Sequence, residues 1–282
     1  MTVNLAPGAA GQPPIVIEPG RPWTALDLRA PWEYRELLYF LTVRDIKLRY
    51  RQTFLGVAWA VLQPVAAMLV FSLFLGRVAG VTSSGVPYPL FAFLGLVPWM
   101  FFSNAVSGAS NSLITSSNLI TKVYFPRVII PAAAVLAGLV DFSVSFVVLL
   151  ALLVYYGIPL TGGVLLVPLL LGVLVLLAFG VGTWMAGLNV KFRDIRYALP
   201  FVVQLWMFAS PVVYPRTLVP ERWQWALRLN PITGIIEGFR AALLGRDFDW
   251  PLLALAAGIT LAIALYALLA FARMEEGFAD VI

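Results

Sequence analysis

VIIPAAAVLAGLVDFSVSFVVLLALLVYY, residues 128–156, carries a single charged side chain, Asp141. A helix crossing a ~30 Å hydrocarbon core needs ~20 mostly apolar residues. This stretch exceeds that length, so it is predicted to cross a membrane and to tilt or project beyond it. The pattern recurs at about 55–75, 88–106, 164–188, 197–214 and 252–271. Six spans result, and 197–214 is the shortest. The fold class is an all-α integral membrane protein.

Composition agrees. Of 282 residues, 61% are hydrophobic and 12% charged, and the mean hydropathy is +0.90. A soluble domain of this size needs more polar surface than that to cover its core. Cysteine and histidine are absent, which excludes disulfides, thiol nucleophiles, histidine relays and the usual zinc, haem and iron–sulfur ligand sets. No resident cofactor or metal is expected, and the chain has no room for the soluble basic face that nucleic acid would need. The first 30 residues are rich in Pro, Gly and Ala without a basic start and apolar core, so no cleavable signal peptide is read there. The chain divides into a mobile tail at 1–30, one membrane domain at 31–273 and a short tail at 274–282.

Residues 31–51 read as an amphipathic helix. Tyr34, Leu37, Leu38 and Leu41 fall at i, i+3, i+4 and i+7. Arg44, Lys47, Arg49 and Arg51 form a basic cluster, which is too charged to span and is expected at the inner membrane surface. Basic residues also set orientation. Lys122 and Arg127 lie in the second connection, Lys191, Arg193 and Arg196 in the fourth, and Arg273 after the last span, whereas the first holds only Arg77 and the third none. Both termini are therefore expected in the cytoplasm. The fifth connection, 215–251, runs against this rule. It carries Arg216, Arg222, Arg228, Arg240 and Arg246 against Glu221, Glu237, Asp247 and Asp249. Its apolar part, 232–244, is too short to cross and is expected as one or two short external helices dipping into the membrane, the alternative being a helix resting on the outer leaflet. Glu237 and Arg240, three residues apart, share a helical face and are expected to hold these helices over an exit.

No lysine of the three present is followed by Ser or Thr, since Leu48, Val123 and Phe192 follow them. There is thus no phosphate-binding P-loop, and any ATP-driven work falls to another chain. Asp141 is the one acid deep in a span. It reads either as an ion or substrate site or, preferably, as a partner of Ser143, Ser145, Asn104 or Gln204. Trp59, Phe71, Phe74, Trp99, Phe102, Trp206 and Tyr214 are candidate pore-lining aromatics, because sugar rings stack on aromatic faces. Most in-span aromatics otherwise belong to packing or interfacial belts. Gly76/Gly80 and Gly234/Gly238 have the spacing of close helix contacts.

Certain motifs go further. Leu48-Arg49-Tyr50-Arg51-Gln52-Thr53-Phe54-Leu55-Gly56, then Trp59 and Leu62-Gln63-Pro64, resembles the start of type-2 ABC exporter permeases for bacterial polysaccharides. Val190-Lys191-Phe192-Arg193-Asp194-Ile195, Asn230-Pro231-Ile232 and Phe239-Arg240 are similar to later motifs of that family. The resemblance covers about residues 30–272, and the overall look of the chain favours the O-antigen branch. It implies a homodimer of six-helix subunits in the bacterial inner membrane, two ABC nucleotide-binding subunits holding the ATP and Mg, and a substrate built in the cytoplasm on a polyprenyl diphosphate lipid. It also implies that the polar segment at 111–122, with Asn111, Leu119, Ile120 and Lys122, couples to the ATPase rather than serving as a solvated loop. A permease for a smaller lipid or drug is the alternative within the class, and an aromatic-lined channel along the dimer axis separates the two. A membrane-bound enzyme or assembly factor is the alternative outside it. The enzyme reading lacks any paired carboxylate, metal cluster or nucleophile–base set.

Overall fold

A computed structural model describes residues 33–51, 56–81, 83, 85–120, 122 and 125–275. The expected tail 1–30 and most of the tail 274–282 lie outside them. The described residues form helices α1 (Arg35–Tyr50), α2 (Ala58–Phe71, wound wider as a π-helix over Ser72–Val78), α3 (Tyr88–Thr115) and the single turn α4 (Ser117–Ile120). There follow α5 (Ile129–Tyr155), α6 (Val167–Lys191, entered through a 3-10 turn Gly162–Leu166), α7 (Ile195–Phe208), α8 (Glu221–Leu229), α9 (Pro231–Leu244) and α10 (Trp250–Glu275). No strand occurs among the described residues.

Five helices are long and apolar enough to cross a membrane: α2 with its π-helical end, α3, α5, α6 with its 3-10 entry, and α10. The bounds expected for 128–156 match α5 closely. α3 was expected to end near residue 106 but runs to Thr115, because its Ser- and Asn-rich last turns continue the helix, with Asn111, Ser112 and Thr115 bonding carbonyls three or four residues back. The greatest departure is the expected span 197–214. Its helix, α7, stops at Phe208. Fourteen residues rise only ~21 Å, short of a ~30 Å core, and residues 209–214 continue as irregular backbone.

α3 is the centre of the bundle: 78% of its most apolar window is buried, against 11% for α2. It packs on α5, α6, α9 and α2. Close approach of α6 to both neighbours depends on absent side chains. A Cβ on Gly182 would meet the Ala109 Cβ of α3 at 2.7 Å, and one on Gly180 would meet the backbone of Ala264 in α10 at 2.9 Å.

At one end of the bundle the predicted stripe of α1 finds its partners. Leu41 is buried and Tyr34, Leu37 and Leu38 half-buried against Leu113, Ile130, Ala186 and Phe271. α1 is therefore docked onto the helix ends by this stripe, rather than resting on a membrane surface through it. This end carries the basic residues Arg44, Lys47, Arg127, Lys191 and Arg273. The opposite end carries α8 and α9. Twelve of the 14 residues of α9 are buried, so α9 is enclosed by protein rather than lying on the outside of the bundle. Its ends are set locally. Asn230 Oδ1 accepts from Ile232 N (3.2 Å), Pro231 takes the first helical position, and Gly245 closes the helix at φ 65°.

Candidate translocation surface and its anchors

The irregular segment after α7 is held by side chains. Arg240, 2% exposed, donates from Nη1 to the Pro211 carbonyl (2.8 Å) and to Glu237 Oε1 (2.8 Å), and from Nη2 to the Val212 carbonyl (2.7 Å). Its guanidinium stacks 3.8 Å from the Phe91 ring centroid. Tyr88 donates to the Val213 carbonyl (2.6 Å), and Tyr214 to that of Phe208 (2.9 Å). Asn230 accepts from Trp206 Nε1 (3.0 Å) and donates to Ser210 Oγ (2.7 Å). Carbonyls that a continuing helix would have satisfied thus find donors. The turn lies so close to α3 that a Cβ on Gly95 would sit 2.0 Å from the Val212 oxygen. Arg240 and Glu237 were expected to brace the short helices through each other. The structure gives Arg240 the larger role, because Glu237 is only one of its partners.

At the basic end the surroundings of Asp141 differ from expectation. Ser143 bonds the Leu139 carbonyl (2.7 Å) and Ser145 the Ala60 carbonyl (2.7 Å), while among the described residues Asn104 and Gln204 make no hydrogen bond to it. Its two oxygens instead accept from Arg49 Nη1 and from the Tyr50 hydroxyl. Asp141 lies three turns inside α5, where the end of α1 can reach it. Burial, then the bond to Asp141, raises the Tyr50 hydroxyl above its ordinary pKa, so it stays a neutral donor at working pH. Arg49 therefore leaves the expected surface cluster. Arg44 pairs with Asp45 (2.8 Å) and reaches Ser116 (3.3 Å), whereas Lys47 and Arg51 are exposed.

Beside this trio lies a cavity of about 280 Å³ whose lining includes Trp59, Gln63, Met100 and Asn104. Gln63 and Asn104 are exposed within their helices and have no hydrogen-bond partner among the described residues. The candidate aromatics divide. Trp59 and Phe74 are 46% and 58% exposed, and Phe71, Trp206 and Tyr214 are half-buried. Trp99 and Phe102 are buried, their rings tilted against each other with centroids 5.6 Å apart, and Phe102 also meets Trp206 edge-on at 5.1 Å. These two pack the interior of the bundle.

The coupling candidates gather near α4. Asn111 lies in α3 and accepts from Asn189 Nδ2 (3.3 Å). Leu119 and Ile120 pack half-buried on the cluster that holds α1, and Lys122 is exposed. Sequence reasoning used Arg127 only to set orientation and missed its partner: it donates to the Glu275 carbonyl (2.8 Å) and pairs with its carboxylate (3.8 Å). It also missed Gly95, Tyr88 and Tyr50. An acid deep in a span was itself a signal to search the neighbouring basic helix for its partner.

The family model for ABC-2 type transporters matches residues 36–244, from α1 to the end of α9. The chain belongs to the ABC-2 type transporter family. An O-antigen export system permease protein of Myxococcus xanthus is 32% identical over 258 residues, 90% of this chain and 98% of that protein. An O-antigen export system permease protein of Klebsiella pneumoniae is 25% identical, covering 88% and 95%. A polysialic acid transport protein of Escherichia coli is 27% identical, covering 72% and 80%. This ABC-2 protein is therefore a multi-pass membrane protein of a transport family, homologous to polysaccharide export permeases, and ABC-2 permeases of this kind work with ABC ATPase partners.

Proposed function

We propose that this chain is the membrane subunit of an ATP-driven exporter that carries a polysaccharide built on a polyprenyl diphosphate lipid, O-antigen in class, from the cytoplasm across the bacterial inner membrane. The observation that carries this reading is the match to O-antigen export permeases over about nine-tenths of the chain. Two copies work with two ABC ATPase subunits, which hold the ATP and Mg. Both termini are cytoplasmic, because the end bearing α1 is the basic end. α7 with its pinned extension 209–214 completes the sixth crossing. It runs from the level of Lys191 to that of Tyr88, which supports the count although α7 alone is short. On this reading α4 receives the ATPase stroke, and α8 and α9 lie over the exit.

The test is genetic and biochemical together. Deleting the gene should remove the polysaccharide from the cell surface and pile up lipid-linked chains on the cytoplasmic side. Restoring it alongside an ATPase crippled at its P-loop lysine should not rescue export. Unchanged surface polysaccharide in the deletion, with another lipid accumulating instead, would overturn the substrate assignment.

A further inference from the structure

The cavity beside Asp141 has a chemistry that neither packing nor lipid contact explains. Gln63 lies in α2 and Asn104 in α3, both inside helices that cross the membrane. Both are exposed and neither has a partner among the described residues. An amide facing hydrocarbon leaves its donors and acceptor unsatisfied, and polar side chains inside spans face the bundle interior or a water-filled cavity. Gln63 and Asn104 converge with Trp59 and Asp141 on one space of about 280 Å³, at the small end of the ~300–1,000 Å³ typical of ligand pockets. It has room for one ring and not for a folded chain segment.

We infer that this cavity is a subsite for one neutral sugar ring of the passing chain, in the cytoplasmic half of the protein. The inference rests on the polysaccharide reading above. A sugar ring has an apolar C–H face and a rim of hydroxyls. The exposed indole of Trp59 offers a platform for the face. Gln63 and Asn104 each offer donors and an acceptor for the rim, and each oxygen of Asp141 keeps acceptor capacity beyond the bond it takes from Arg49 or Tyr50. Charge selects within the ligand class. Among the described residues Arg49 and Asp141 are the only formal charges lining the space and they cancel each other, so a phosphate head group finds no net attraction and a neutral ring loses nothing. Trp59 belongs to the least buried of the five spanning helices, so the platform lies at the edge of the bundle, where a chain can slide past it.

The chain lacks cysteine, so single cysteines report cleanly. Q63C, N104C and, as a lipid-facing control, L169C are placed in the full chain with its ATPase. Each is treated with a charged, membrane-impermeant methanethiosulfonate. Membranes come from cells making the lipid-linked polysaccharide, arrested with an inactive ATPase, and from cells whose glycan synthesis is deleted. Q63C and N104C should react in glycan-free membranes while L169C stays inert, and arrested glycan should slow both severalfold. In parallel, W59L should lower the export rate about tenfold while W59F holds it within about twofold. Equal labelling with and without glycan overturns the subsite, as does a disulfide between two Q63C copies that excludes the reagent. If the parent protein carries no polysaccharide to the surface at all, the export reading fails instead, and the two failures are told apart by that control.

Discussion

Arg240 places its guanidinium over the ring of Phe91, 3.8 Å from its centroid, while the same group holds the Pro211 and Val212 carbonyls. One side chain thus ties α9, α3 and the end of α7 together. R240M strips two buried carbonyls of their donors, at ~1–3 kcal/mol each. The protein should lose several degrees of melting temperature in detergent and most of its export. E237Q takes the counter-charge from a guanidinium that is 2% exposed, which for a fully buried pair costs ~3–5 kcal/mol; its cost should fall below that range, because Glu237 is itself 32% exposed and Gln keeps an acceptor oxygen. The double change E237L/R240M should be no milder than R240M, because the carbonyls remain. Recovery in the double variant would show that the ion pair, and not the carbonyl clasp, is what matters.

Gly95 gives a steric counterpart. G95A sets a methyl group 2.0 Å from a backbone oxygen, so the turn must leave α3 and the Arg240 contacts must break. Export and thermal stability should both fall. G172A, on the same kind of helix with nothing within 4 Å, should be neutral or slightly stabilising, since Ala exceeds Gly in helix propensity by ~0.8–1.0 kcal/mol. Equal melting curves for the two variants would contradict the close approach.

The link between α1 and α5 is tested through Asp141. D141A leaves Arg49 partly buried without its counter-charge and should undock the end of α1, seen as faster proteolysis near residue 51. Y50F keeps the ion pair and loses one hydrogen bond, worth ~0.5–1.5 kcal/mol, so proteolysis should rise only slightly. The exchange R49D/D141R should restore part of the protection that D141A loses. An exchange no better than D141A would mean that the pair is incidental to docking.

At α4, L119D or I120D replaces a half-buried apolar contact with a charge. Purified with its ATPase, each variant should hydrolyse ATP while exporting little, with the bundle intact by melting temperature. Normal export would remove α4 from the coupling path. Sidedness is read in the same cysteine-free background: S117C and R193C should label only from the cytoplasm, S83C and E221C only from outside.

Much of this was readable beforehand because membrane physics writes itself into local sequence. Residues 128–156 announced α5 almost to the residue. The stripe Tyr34, Leu37, Leu38, Leu41 named the docking face of α1, though not what it docks on. Asn230, Pro231 and Gly245 mark the ends of α9 by ordinary capping chemistry. The end of α7 had a sequence signal that was passed over: Pro211 lacks the N–H that would continue the helix and disfavours helical backbone at Ser210. What was not readable is the side chain that pins the segment, since Arg240 lies 28 residues downstream of Val212. The partner of Asp141 was hidden for the same reason: it lies 92 residues back, on a helix outside the spans. The candidate site followed this division. Trp59 was found by type, whereas Gln63 and Asn104 gained meaning only once they were seen to share a cavity.

α3 passes unbroken from Tyr88 to Thr115, and a single residue, Ser116, separates it from α4. Its far end bears Tyr88, Phe91 and Gly95, the contacts that seat the outer turn. On the proposed role of α4 as the point that receives the ATPase stroke, α3 is in mechanical terms a push-rod about 42 Å long, with that input at one end and the clasped turn, as its latch, at the other. A continuous helix is stiff along its axis, so neither end shifts without the other. Its one missing backbone hydrogen bond from sequence is at Pro98, three residues from Gly95. Whatever bending the rod allows is thereby concentrated next to the latch.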